Sequence, residues 1–111
     1  MIMEIKNNIY NNIGLILVNA SPKNATKVIV RAELHADEDT CKYEFDYIDN
    51  NGQMDWFDPD GRAVGDLTDE LIKLKHYFID NNLTNGKPIW HGCEVIVDLE
   101  KNKIHVDFKY D

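Results

Sequence analysis

Apolar residues recur at three- and four-residue intervals along the first part of the chain, at Ile2, Ile5, Ile9, Ile13 and Ile16. The spacing lines one face of an amphipathic helix from about Ile2 to Val18, which Asn19 and Ser21-Pro22 end. Gly14 and the many asparagines are weak helix formers, so packing of the isoleucine stripe must hold this helix. From Thr26 to His35 the period drops to two, with Val28, Val30, Ala32 and Leu34 on one side and Ile29, Arg31, Glu33 and His35 on the other. That alternation predicts a strand with one buried face. After the acidic turn Asp37-Glu38-Asp39, the residues Cys41, Tyr43, Phe45 and Tyr47 alternate with Lys42, Glu44 and Asp46, and the short connection favours an antiparallel hairpin.

Asp49-Asn50-Asn51-Gly52 signals a turn, Gln53 to Phe57 a short third strand, and Asp58-Pro59-Asp60-Gly61 a break. Thr68 is the predicted N-cap of a second helix, with Asp69 and Glu70 in its first turn where they complement the helix dipole. Leu67, Leu71, Leu74 and Phe78 form its stripe, and Asn81-Asn82 with Gly86-Lys87-Pro88 close it. Two further alternating runs, Cys93-Val95-Val97-Leu99 and Ile104-Val106-Phe108-Tyr110 at every second position, flank Glu100-Lys101-Asn102-Lys103 and make a second hairpin.

The element order is therefore α-β-β-(β)-α-β-β, with no internal repeat, low-complexity tract or linker. A chain of 111 residues fits one domain spanning 1–111. The simplest solution is an α+β fold, an antiparallel sheet of four to five strands with two helices packed on its apolar face. The other face would carry Arg31, Glu33, Lys42, Glu44, Asp46, Glu94, Asp98, His105 and Asp107, and would be polar, solvent-facing and net acidic. Alternation alone leaves the strand order open.

Charge narrows the classes of partner. Twelve Lys and Arg against twenty Asp and Glu give a formal charge of −8. That sign opposes a phosphate backbone, so nucleic acid is not the expected ligand. From Glu33 to Glu70 thirteen acids face only Lys42 and Arg62. A field of that sign steers a basic partner, although solubilising charge is the simpler account of it. No stretch approaches the roughly 20 apolar residues that span a bilayer, and the N-terminus lacks the apolar core of a secretion signal. Cys41 and Cys93 form no CxxC pair, and the expectation is a reduced cytosolic protein with two core thiols and no membrane association.

Catalytic chemistry leaves little trace. No GxSxG elbow or comparable nucleophile signature occurs. His91-Gly92-Cys93 offers one ligand pair where zinc needs about four ligands, so no metal is expected. Asp58-x-Asp60-Gly61 fails the calcium-loop pattern, with Arg62 and Ala63 at the wrong positions. The glycines form no phosphate-binding fingerprint, and no cofactor is implied. His35 or His105 could serve a small acid/base hydrolase, although exposed strand histidines explain both.

Trp56 and Trp90 each stand beside a turn, apart from the alternating runs. Tryptophan is enriched at interface hot spots. Trp56 lies within Met54-Asp55-Trp56-Phe57-Asp58-Pro59-Asp60, an aromatic anchor among acids that fits a basic protein partner. An aromatic lid over one end of the core is the competing reading.

The run Tyr43-Glu44-Phe45-Asp46-Tyr47 through Gly52, then Asp69-Glu70-Leu71-Ile72-Lys73-Leu74 with Phe78, then Pro88-Ile89-Trp90 and the ending Ile104-His105-Val106-Asp107-Phe108-Lys109-Tyr110-Asp111 resemble the YezG-like immunity proteins. The similarity covers roughly residues 28 to 111, and its motifs are structural. The resemblance implies a cytoplasmic antitoxin of a bacterial secreted-toxin system, such as contact-dependent growth inhibition. Such a protein binds a cognate toxin domain, commonly a nuclease, and carries no catalytic residues. The expected partner-binding residues are Glu44, Asp46, Tyr47, Asp55, Trp56, Phe57, Asp58 and Asp60, drawn from the acidic and aromatic segments. An adaptor for a non-toxin protein is the alternative, and a small hydrolase a more distant one. Oligomeric state is not legible.

Overall fold

The computed structural model describes residues 2–34, 41–84 and 89–110, with side chains from Asn7 onward. His35, the acidic turn Asp37-Glu38-Asp39 and Gly86-Lys87-Pro88 lie outside the described residues. The chain runs α1 (Ile2–Ala20), β1 (Ala25–Leu34), β2 (Cys41–Asp49), β3 (Met54–Trp56), α2 (Gly61–Asp80), β4 (Gly92–Asp98) and β5 (Lys103–Lys109). The five strands form one antiparallel sheet in the order β3-β2-β1-β4-β5. The α+β order expected from the pattern is the order observed. No described helix is long and apolar enough to cross a membrane.

Period-two alternation decides which face of the sheet the helices cover. Val28 and Val30 of β1 and Val95 of β4 have no exposed surface, and they meet Ile13 of α1 and Leu71 and Leu74 of α2, which are equally buried. The stripe on α1 continues from Ile9 and Ile13 to Leu17, while Ile16 lies only half-buried at its edge. Burying a side chain of this size contributes about 1.5–3 kcal/mol, so this layer holds an asparagine-rich helix whose intrinsic propensity is low.

Trp90 belongs to the core. It is 1% exposed and packs against Phe78 of α2 and Phe108 of β5, at ring-centroid distances of 5.8 and 4.8 Å. Phe78 and Phe108 are themselves 4.9 Å apart, so three elements share one aromatic cluster. The lid reading suits this tryptophan and not Trp56.

The second helix begins seven residues before its expected N-cap. Asp60 is the true cap, and its carboxylate accepts a 2.8 Å bond from the Ala63 N–H. Thr68 lies one to two turns inside, where its hydroxyl donates to the Val64 carbonyl at 2.8 Å. That leaves its oxygen to accept from the Tyr43 hydroxyl at 2.8 Å, a bond that ties α2 to β2. Glu70, expected in the first turn of this helix, lies inside it and is 7% exposed between the helices. Its Oε1 accepts from Asn12 of α1 at 3.4 Å and from Lys73 at 3.1 Å, and among the described residues its Oε2 has no hydrogen-bond partner.

Turns are fixed by aspartates. Asp49 Oδ1 accepts from the N–H groups of Asn51 and Gln53 at 2.8 and 2.9 Å, with Gly52 at φ +80° completing the reversal. Asp98 does the same for Glu100 and Lys101, and Asn102 takes the left-handed conformation at φ 55°. Gly92 has a different task. A Cβ there would lie 2.5 Å from the Ala32 carbonyl oxygen, so the approach of β4 to β1 requires glycine.

Gly92→Ala should therefore lower stability by about 1–3 kcal/mol through overpacking against a backbone atom that cannot move aside. Gly65→Ala, inside α2 with open space around its Cβ, should raise it by up to about 1 kcal/mol. Urea unfolding of both variants checks the opposite signs.

Candidate functional site

Two faces of the sheet separate by parity. On β2 the odd residues point to the helices and the even residues to the open side, and the register of β3 extends this outward. Trp56 stands opposite Asp46 and Met54 opposite Ile48, so both belong to the open face. Asp55 pairs with Tyr47 on the other side. Phe57 follows the same parity as Asp55 and turns toward the core, where it contacts Phe45 and Tyr47 at 5.7 and 5.9 Å.

This parity sorts the eight expected partner-binding residues. Trp56 is 71% exposed, the most exposed large apolar side chain among the described residues, with Met54 beside it at 57%. Glu44, Asp46, Trp56, Phe57 and Asp58 line one shallow depression of about 370 Å³ with Tyr43 and Phe45. Tyr47, Asp55 and Asp60 lie outside it. Tyr47 and Phe57 are half-buried and meet edge to face, at an interplanar angle of 75°. The Asp60 carboxylate is committed to capping α2, and the Asp55 carboxylate accepts from the Trp56 N–H at 2.8 Å.

Electrostatics on the open face centre on Arg31. Its guanidinium reaches Asp46 at 2.8 Å, Glu94 at 3.2 Å and Glu44 at 3.6 Å. The hydrogen bond that Arg31 donates to Asp46 raises the Arg31 pKa further above its ordinary value, so this cation is permanent. One positive charge answers three negative ones, and the Glu44 side chain, 76% exposed, is the least committed of the three. Further along the face the His105 ring nitrogen and Asp107 are 2.9 Å apart. Beside Gly92 lies a second depression of about 430 Å³, where Glu33, Glu44 and Glu94 meet Arg31, Lys42 and Lys109 in balanced charge.

The alternating pattern understated one component. The open face also carries Ile29, Ile48 and Ile96, of which Ile29 is only 8% exposed although no helix covers it. Its cross-strand neighbours on this face are Asp46 and Ile96. Ile48 and Ile96 each sit at an even position that a strict inward-outward reading of their strands places outside, a signal that was available.

Cysteine chemistry is confined to the core. Cys93 is 1% exposed, and burial, with Cys41 nearby adding to it, pushes its thiol from 9.0 up to about 12. Cys41 is half-buried against the same core, and both thiols are free. Among the described residues no cluster of three or more His, Cys, Asp or Glu side chains is arranged to hold a metal ion.

Asp60→Ala should cost about 1 kcal/mol of stability through loss of the cap, whereas Trp56→Ala should change stability by less than about 0.5 kcal/mol; thermal unfolding of the pair separates a structural acid from an exposed aromatic. For Cys93, the unfolded chain releases its thiol proton near the ordinary value while the folded chain keeps it to about 12. Stability contributed by this group is complete below the lower value and falls as pH rises through the window. Urea midpoints should show that decline, and Cys93→Ala should flatten it. No known protein-family model matches the chain and no curated protein matches it in sequence, so the functional reading rests on the geometry of this face.

Proposed function

We propose that this protein is an immunity protein that binds a cognate bacterial toxin domain, a basic nuclease, in the cytoplasm and neutralises it stoichiometrically by covering its active site or substrate surface. The observation that carries the reading is Trp56, 71% exposed on the edge strand of the sheet and rimmed by Glu44, Asp46 and Asp58. A large apolar ring left in water contributes nothing to folding, and such rings are what protein interfaces bury as anchors. Carboxylates around the anchor select a partner of positive charge, the sign carried by proteins that grip nucleic acid. The likeness of the β2, α2 and β5 segments to YezG-like immunity proteins supplies the toxin as the class of partner.

Each part of the surface then has a separate task. The carboxylates of the open face speed encounter through long-range attraction, which salt screens. Trp56 slows dissociation by filling a pocket on the partner. Tyr47 and Phe57 support the anchor from behind by fixing β3 against β2. Inhibition by this route involves no turnover and follows the molar ratio of the two proteins.

Isothermal titration against the toxin domain encoded immediately upstream, at low and high salt, tests the reading. The expected result is one-to-one binding that weakens as salt rises, with Trp56→Ala costing about 2 kcal/mol or more of affinity. No binding to a pure, folded toxin domain would overturn the immunity reading and leave an adaptor for some other basic protein as the alternative.

A further inference from the structure

Register divides the open face into cross-strand rows. One end row contains Lys27 of β1 and Lys103 of β5, and the opposite end row contains Lys42 of β2 and Lys109 of β5. Between these lysine rails lie two middle rows. The first runs Trp56, Asp46, Ile29, Ile96, His105, and the second runs Glu44, Arg31, Glu94, Asp107. The middle of the sheet is therefore a band in which Asp46, Glu44, Glu94 and Asp107 face the single cation Arg31, whereas each end row sets two lysines against one carboxylate, Asp98 in the first and Glu33 in the second.

Two details give the band its preference. Ile29 and Ile96 are cross-strand neighbours on the face that no helix covers; Ile29 is only 8% exposed and Ile96 is half-buried, so Ile96 is the open part of a narrow apolar floor, roughly 14 Å from Trp56 across three strand spacings. Arg31 satisfies Asp46 at its shortest contact, which leaves Glu44 and Glu94 with charge to share. A second copy of this chain would bring an equally acidic band against this one, and like charges across an interface oppose association. A cationic segment meets no such penalty.

We propose that the partner is held across the whole middle of this face, by a segment that lays an apolar side chain on Ile96 beside the buried Ile29 and sets arginine or lysine side chains against Glu44 and Glu94, with Trp56 closing one end. This deepens the reading that the protein neutralises a basic partner and rests on it for the partner's identity, but the chemistry of the band is testable without that partner. Each end row carries two lysines against one carboxylate, a net positive charge that disfavours displacement of a cationic segment toward either end of the sheet.

The probe is a short arginine-rich peptide carrying a leucine, titrated into the full-length, isotope-labelled chain and followed by amide and indole chemical shifts, with the citrulline version of the same peptide as the neutral control. Shifts should concentrate at Ile29, Arg31, Glu44, Glu94, Ile96 and the Trp56 indole, and the citrulline peptide should bind about tenfold more weakly or worse. The double variant Glu44→Gln/Glu94→Gln should weaken the arginine peptide about tenfold. The charge-matched variant Asp66→Asn/Asp69→Asn, on the exposed side of α2, should change it by less than about twofold. Equal losses in the two variants, equal binding of the citrulline peptide, shifts centred on the helices, or no binding would each overturn the proposal. Concentration-dependent shifts of the band without peptide would also overturn it, in favour of self-association. A toxin domain that fails to bind while the peptide maps to the band would instead remove the immunity reading and leave the band standing.

Discussion

The pairing of β1 on both of its edges is the constraint from which the rest of the molecule follows. β2 and β4 are hydrogen-bonded to it in antiparallel register along nearly its whole length, so their side chains are locked in phase with it. Val28 and Val30 then face the helices with no exposed surface, and Arg31 on the reverse side falls among carboxylates of both neighbours. A slip of one residue would exchange the two faces of a strand, burying charge and exposing valine, and this penalty is what fixes the register. Gly92 shows how tight the fit is, since the adjacent strand approaches to a distance that excludes even a methyl group.

Helix packing is a response to that sheet. The inner face offers a continuous apolar surface, aliphatic on β1 and β4 and aromatic on β2, and two helices of modest intrinsic stability become ordered by covering it. Their mutual seam is less regular, because Glu70 lies within it and is held by Asn12 and Lys73 with one oxygen left unpaired among the described residues. A buried carboxylate of this kind lowers stability relative to an apolar side chain of similar volume. The seam is therefore secured chiefly by the apolar residues on either side of it, Ile9, Ile13, Leu67, Leu71 and Leu74.

Sequence patterning was most informative where one periodicity acts alone. Val28 to Leu34, Cys41 to Tyr47 and the two C-terminal runs revealed both their strands and their buried faces, because alternation directly reports a half-covered sheet. The start of α2 was hidden because Pro59-Asp60-Gly61 is equally a turn and a helix N-terminus, and Gly61 and Gly65 dilute the helical signal that follows. The Asp60 cap and the buried contacts of Leu67 and its neighbours hold these first turns. Glu70 was misplaced for the same reason, since a carboxylate beside an apparent cap looks exposed. The strand order, with β1 between two partners distant in sequence, depends on long-range pairing that alternation does not encode. Among the expected site residues, acidity and aromaticity drew Trp56 and Glu44 correctly to an exposed surface, but they could not separate these from Asp60 and Phe57, whose tasks are capping and packing.

Strict two-residue parity on β2 and β3 also has an evolutionary consequence. Phe45, Tyr47 and Phe57 determine whether the sheet edge forms, while Glu44, Asp46 and Trp56, interleaved with them, meet the solvent. Changes at the second set leave the first set's contacts intact, so the outward residues can diversify rapidly without loss of foldability. A lineage of such proteins could exchange one recognition specificity for another by single substitutions, each intermediate remaining a stable protein, while the interleaved inner positions stay under purifying selection.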